Sequence, residues 1–186
     1  MAKKIRKDFA AEVMIPAGIE VEIHGNTIKM KKGAHELKRI VTEHVEMKKD
    51  GDKIILQTKK AKRMGKRNYG SAKSHIKNMI EGLENGYEYE LEICIVHFPM
   101  TVTFDKVKHE FIIKNLLGEK SPRIVYAKKN IEVEIKAPKI KIKSYDLEAA
   151  GQTAADLEKV TKIRNRDRNK FQDGIFITKK PGVEFI

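Results

Sequence analysis

Apolar residues in the first third of the chain recur at every second position. Val13 and Ile15, then Ile19, Val21 and Ile23 with Glu20 and Glu22 between them, predict a strand with one face toward a core and the other toward water. His24-Gly25-Asn26-Thr27 supplies residues that tolerate the positive φ of a tight hairpin. Ile28 and Met30 resume the alternation, Lys32-Gly33 turns again, and Val45, Met47, the Asp50-Gly51-Asp52 turn, Ile54 and Leu56 describe a further hairpin. The expected arrangement is an antiparallel meander. The period then changes. Between residues 65 and 82, Ala72, Ile76, Met79 and Ile80, followed by Leu83, form an apolar stripe on one side of a helix, with Lys66, Arg67, Lys73 and Lys77 around the rest. Asn85 or Gly86 can supply its left-handed cap.

The second part of the chain repeats the first. Tyr87, Tyr89, Leu91, Ile93 and Ile95 alternate with Glu88, Glu90 and Glu92. Further alternating pairs follow: Val102 and Phe104, Phe111 and Ile113, Ile124 and Tyr126, Ile131 to Ile135, and Ile140 and Ile142. A second helix is expected over residues 147–163, N-capped by Asp146, with Ala150, Ala154, Leu157 and Val160 on its buried side. Pro16, Ile19, Ile28 and Met30 match Pro99, Val102, Phe111 and Ile113 at a shift of 83; Met47, Ile54 and Leu56 match Val133, Ile140 and Ile142 at 86. A loop insertion accounts for the drift, and the match implies an internal duplication. The fold class is α+β: two duplicated domains, residues 1–82 and 83–186, each an antiparallel-rich β-sheet packed with one α-helix.

Charge narrows the partner. The 186 residues include 39 Lys and Arg against 26 Asp and Glu, a formal net charge of +13, which favours a polyanion such as RNA, DNA or an anionic membrane surface. Residues 1–82 hold 20 basic and 10 acidic side chains and residues 83–186 hold 19 and 16, so the excess is concentrated at the front. A lone cysteine, Cys94, excludes an intramolecular disulfide framework and a multi-cysteine zinc site and suits a reducing compartment. No apolar stretch reaches the length needed to span a bilayer, and the basic start lacks a signal-peptide core. A cytosolic protein is expected, with neither membrane nor small-molecule substrate as partner.

Catalytic chemistry finds little footing. The six histidines, His24, His35, His44, His75, His97 and His109, include no pair at metalloprotease spacing. His97 lies three residues from Cys94 and so on the opposite face of a strand. Residues 65–71 imitate the first half of a phosphate loop but have Ser71-Ala72 where Lys and then Ser or Thr are required. What survives is a weaker expectation, exposed backbone N–H groups at the start of a basic helix holding an RNA phosphate. The carboxylates alternate on wet strand faces, and no cofactor or metal is implied. Two rivals to a non-enzymatic RNA binder stay open: an RNA-processing enzyme using His75 or His97, and a nonspecific basic DNA-binding protein.

Two segments concentrate cations. Residues 59–67 hold Lys59, Lys60, Lys62, Arg63, Lys66 and Arg67, expected as a loop joining strand to helix and able to meet several phosphates. Residues 164–174 place Arg164, Arg166, Arg168 and Lys170 at alternate positions, with Asn165, Asp167 and Asn169 between them. In an extended chain this puts cations on one side and short hydrogen-bonding groups on the other. Three of the eight arginines lie here and a fourth is Arg123; guanidinium suits bidentate phosphate or guanine contacts. Phe171 is positioned either to stack on a base or to anchor the loop, and Gln172-Asp173-Gly174 reads as a turn into a last strand. Aromatic residues are only 6%, which fits shape and phosphate recognition better than a base-stacking sheet.

These residues resemble a known family, large-subunit ribosomal protein L-six in its archaeal and eukaryotic branch. The matching pieces are Ile15-Pro16-Ala17-Gly18-Ile19-Glu20-Val21, the helix of residues 70–82, Gly151-Gln152-Thr153-Ala154-Ala155-Asp156-Leu157-Glu158, and, most specifically, Ile163-Arg164-Asn165-Arg166-Asp167-Arg168 with Phe171-Gln172-Asp173-Gly174-Ile175. Bacterial members carry a Tyr-Lys-Gly-Lys-Gly type sequence at the last of these. The resemblance implies two duplicated α+β domains on large-subunit rRNA near the sarcin-ricin loop, the factor-binding region and the stalk base. Neighbouring ribosomal proteins and translation factors would be close by. The C-terminal domain would hold much of the rRNA contact, with Gln152 and Thr153 adding polar contacts and residues 59–67 a secondary patch.

Overall fold

The structure, a computed structural model, describes residues 9–42, 44–58 and 63–184. The chain divides between Asn85 and Gly86 into two compact units.

In the first unit, strands β1 (Phe9–Met14), β2 (Glu20–His24), β3 (Thr27–Lys32), β4 (His35–Ile40), β5 (Glu46–Asp50) and β6 (Lys53–Thr58) precede helix α1 (Arg63–Asn85). They form two antiparallel three-stranded sheets, β1-β6-β5 and β2-β3-β4. This corrects the single meander. Val13 and Val21 belong to different sheets, because Gly18, at φ 89°, turns the chain after Pro16, and β1 crosses to pair with β6 from Phe9 opposite Thr58 to Met14 opposite Lys53. Alternation reports which face of a strand is buried and carries no information about its neighbour.

The second unit begins with β7 (Tyr87–Cys94), β8 (Thr101–Asp105), β9 (Glu110–Lys114), β10 (Arg123–Tyr126), β11 (Ile131–Lys136) and β12 (Lys139–Ser144). Helix α2 (Leu147–Thr161) and strands β13 (Gly174–Lys180) and β14 (Val183–Glu184) complete it. Its sheets run β10-β9-β8 and β11-β12-β7-β13-β14. The duplication is therefore visible in the pairing: β1-β6-β5 has its counterpart in β7-β12-β11, and β2-β3-β4 in β8-β9-β10. The additions are β13 and β14, with β13 on the edge of β7 whose equivalent on β1 pairs with no strand among the described residues.

Equivalent positions fill equivalent cores. Ile28, Met30, Ile54 and Leu56 are fully buried in the first unit, as are Phe111, Ile113, Ile140 and Ile142 in the second. Each helix adds its stripe: Ala72, Ile76, Met79, Ile80 and Leu83 in α1, and Ala150, Ala154 and Leu157 in α2. Four of the buried helical positions, Ala72, Ile76, Met79 and Leu83, have counterparts 78 residues on at Ala150, Ala154, Leu157 and Thr161. At about 25 cal/mol per Å² of apolar surface, each fully buried large side chain stabilises its core by roughly 1.5–3 kcal/mol.

The helix ends differ from expectation at two places. Helix α1 starts at Arg63, so Gly65, Gly70 and Ser71 lie inside it and the backbone N–H groups of Gly70 and Ser71 belong to helical turns. The N–H groups of Gly70 and Ser71 are therefore not the free helix-start amides expected at these two residues. Helix α2 ends at Thr161, two residues early. Gly86, at φ 69°, follows α1 as the cap residue, and Asp146 caps α2, its side chain accepting from the N–H of Glu148 at 2.9 Å.

Candidate nucleic-acid interface

Residues 162–173 leave α2 and return to the sheet at β13. Thr161 fastens both ends of this excursion: its hydroxyl donates to the carbonyl of Leu157 at 3.1 Å and accepts from the N–H of Ile175 at 3.0 Å. Between them the chain is not extended. Asp167 accepts the Asn169 N–H on its carboxylate at 2.9 Å, and its carbonyl accepts the N–H groups of Lys170 at 3.2 Å and Phe171 at 2.9 Å. Asn165 stands at φ 57°. The expected ladder of cations along one strand face is thus replaced by a compact turn, because an Asp with two free amides downstream closes on them. Arg164, Asn165, Arg166, Arg168, Lys170 and Gln172 are all exposed on it.

The turn is clamped from beneath by Asp173, which is buried. One carboxylate oxygen accepts the N–H groups of Val96 at 2.8 Å and His97 at 2.9 Å; the other lies 2.6 Å from Nδ1 of the His97 ring. Burial alone would raise this carboxyl, but the His97 backbone N–H, the His97 ring and the Val96 N–H together outweigh it and lower the pKa to about 2. His97 in turn stacks on Phe171, centroids 4.8 Å apart at 23°. The guanidinium of Arg166 lies 4.8 Å from the Phe171 centroid, and that of Arg168 5.9 Å from the Phe176 centroid. Two aromatic rings therefore carry two arginines. Phe171 is an anchor, with His97 and Arg166 packed against it. A cleft of about 270 Å³ lies between the end of α2 and the turn, lined by Lys159, Lys162, Arg168, Phe171 and Phe176 among others.

The remaining predicted site residues scatter. Gln152 is exposed on α2 and donates to Asp156 at 2.7 Å. Thr153, one position on and about a hundred degrees around the helix, is fully buried. Its hydroxyl donates to the Ala149 carbonyl at 2.8 Å and accepts the Lys128 N–H at 3.2 Å. That commitment removes Thr153 from the surface as an RNA contact. Lys59, Lys60 and Lys62 lie outside the described residues. Arg63, Lys66 and Arg67, expected in a loop, sit on the first turns of α1, exposed. Arg123 works inside its own unit, pairing with Glu119 and donating to the carbonyl of Val160 at the end of α2.

The candidates for chemistry are also accounted for. His75 lies 3.1 Å from the Arg39 guanidinium, and His97 serves the clamp. Burial first, then Glu92 and Asp173, raise the Cys94 thiol, which disfavours a thiolate nucleophile. Among the described residues no group of three or more His, Cys, Asp or Glu side chains could hold a metal ion, and no helix is long and apolar enough to cross a membrane. Sequence reasoning missed Asp173 and His97 as the clamp, since Gln172-Asp173-Gly174 reads only as a turn and its partners lie far away in the chain.

No family model matches the chain. Curated proteins do. It is 38% identical over 172 residues to large ribosomal subunit protein uL6 of Methanococcus vannielii, covering 92% of this chain and 93% of that protein. Against uL6 of Staphylothermus marinus the identity is 40% over 169 residues, 89% of this chain and 91% of the other. Against uL6 of Saccharolobus solfataricus it is 39% over 175 residues, 93% and 96%.

Proposed function

The chain belongs to the uL6 family of large-subunit ribosomal proteins, and from that premise we propose that its C-terminal arginine turn grips large-subunit rRNA near the sarcin-ricin loop, the factor-binding region and the stalk base. It is a structural constituent of the large ribosomal subunit in the cytoplasm, supporting translation without a reaction of its own. Neighbouring ribosomal proteins at the stalk base are its protein partners in this reading, and translation factors pass close by.

What supports the rRNA grip most directly is a cationic turn whose shape is fixed without RNA. Arg164, Arg166, Arg168 and Lys170 project from a segment held by the Asp167 turn, the Thr161 fastening and the Asp173 clamp. Ordering long cationic side chains on rings before the partner arrives reduces the entropy lost on binding. Arg166 and Arg168 present guanidinium forks for phosphate oxygens. Asn165, Gln172 and Gln152 supply amides for sugars or base edges.

The test replaces Arg164, Arg166 and Arg168 together with Ala. The expected outcome is weaker binding to a factor-site rRNA fragment and a log-log salt dependence flatter by about 0.7–0.9 for each phosphate no longer neutralised, with an unchanged circular dichroism spectrum. Parental affinity and slope would reject the assignment.

A further inference from the structure

Helix α1 carries a surface that runs against its own stability. Taking Gly70 as reference and 3.6 residues per turn, Arg63, Lys66, Arg67, Lys73, Ser74 and Lys77 all project within about 60° of the same direction. The buried stripe of Ala72, Ile76, Met79 and Leu83 faces away from it. No acid occurs between Arg63 and Ile80 in the sequence. The first turn of the helix holds no acid and the last no base, the reverse of what the helix dipole favours, and cations three or four positions apart repel one another.

Gly70 adds an independent observation. It lies in the interior of a 23-residue helix, exposed, at a position where glycine is among the poorest helix formers. Its backbone is helical and needs no positive φ, and a Cβ built there would meet nothing within 4 Å. Nothing inside the protein requires the missing side chain. A bare stretch of helix backbone, flanked by Lys66 on one turn and Lys73 and Lys77 on the next two, is what a phosphodiester strand lying close against the helix requires. A sugar-phosphate chain meets cations over about 16 Å of axis from Lys66 to Lys77, with the partial positive charge of the helix N-terminus adding to them.

We propose that the solvent face of α1 is a second RNA-backbone contact surface, with Gly70 as its point of closest approach and Lys66, Lys73 and Lys77 as its phosphate ligands. This rests on the reading that the chain binds rRNA, and extends the basic patch of residues 59–67 along α1 to Lys73 and Lys77.

The experiment compares the full chain with Gly70→Ala, Lys73→Ala and Lys77→Ala, measuring thermal midpoints and binding to in vitro transcribed large-subunit rRNA across a salt series. Gly70→Ala raises the midpoint, because alanine is the better helix former and has room, yet weakens rRNA binding several-fold. Each lysine variant lowers the salt slope by about 0.7–0.9 without lowering the midpoint. Parental affinity in Gly70→Ala, or unchanged slopes in both lysine variants, overturns the proposal. Normal binding to naked rRNA combined with poor incorporation into reconstituted subunits also overturns it, and assigns the face to an acidic protein surface. The arginine-turn variants provide the separation: if they alone lose rRNA, the turn stands and the α1 surface falls, and if the α1 variants alone lose it, the reverse holds.

Discussion

Helices α1 and α2 fill the same slot in two copies of one fold, packing apolar stripes on the sheets of their own units, yet their exposed faces obey opposite rules. Helix α2 is charged for stability. Asp146 caps its start, Glu148 lies in its first turn, Lys159 in its last, and Arg123 takes up the Val160 carbonyl near its end. Helix α1 opens on Arg63, Lys66 and Arg67 and closes with Glu81 and Glu84. The internal glycines diverge in the same sense. At Gly151 of α2 a Cβ would stand 2.8 Å from the Tyr89 hydroxyl, whereas at Gly70 of α1 it would meet open space. One glycine is required by packing inside the protein and the other is not. Duplication supplied two equivalent struts; one is charged as a strut, with an arginine-rich turn following it, and the other carries an unbroken cationic face.

The largest effect that could break this contrast is at Gly151. Alanine there overpacks the contact with Tyr89, which is buried on β7, and the expected loss is about 1–3 kcal/mol, read as a lower thermal midpoint. Adding Tyr89→Phe removes the hydroxyl and recovers part of it. If Gly151→Ala is as stable as the parent, the two glycines do not differ as described.

Next in size is the clamp beneath the turn. Replacing Asp173 with Ala removes the acceptor of the part-buried N–H groups of Val96 and His97, at about 0.5–1.5 kcal/mol for each hydrogen bond lost, and loosens the stack that carries Arg166. Its pH signature has a definite sign. The folded pKa, about 2, lies below the ordinary 3.8, so the unfolded chain binds more protons in between. The stabilisation is complete above about 3.8 and disappears as pH falls through about 2. Denaturant titrations across that window should show a steeper acid loss in the parent than in Asp173→Asn.

The smallest effects sharpen the helical contrast. Glu148→Lys in α2 should destabilise by about 0.3–1 kcal/mol and Lys66→Glu in α1 should stabilise by a similar amount. Low-salt chemical denaturation reads both, and equal signs would contradict the opposite charge rules.

The elements that could be read in the sequence are those whose period is set by burial. Ile28 with Met30 and Ile54 with Leu56 alternate because every second side chain enters the core, and the match of Ile54 to Ile140 exposes the duplication because both fill the same place in their units. Partner choice was illegible, since Val13 and Val21 alternate alike on strands of different sheets. The first two residues of α1 were hidden because Arg63 and Met64 continue a run of cations that reads as a connecting loop, and the helix could be seen only from residue 65. Gln152 and Thr153 are adjacent polar residues in the sequence, yet one step around α2 separates solvent from core. The Asp173 clamp could not be read at all: its partners Val96 and His97 are 77 and 76 positions away.

Strand β13 has one more consequence. It lies along the first strand of its unit, and the contact between Thr178 and Glu90 spans 88 positions. On a translating ribosome, which delivers the N-terminal part first, β7 waits with one edge open until residues 174–180 have emerged. The arginine turn is held between Thr161 and that closing strand, so it takes its shape only once β13 has been made. A nascent chain therefore cannot present the finished arginine turn before its own sheet is complete.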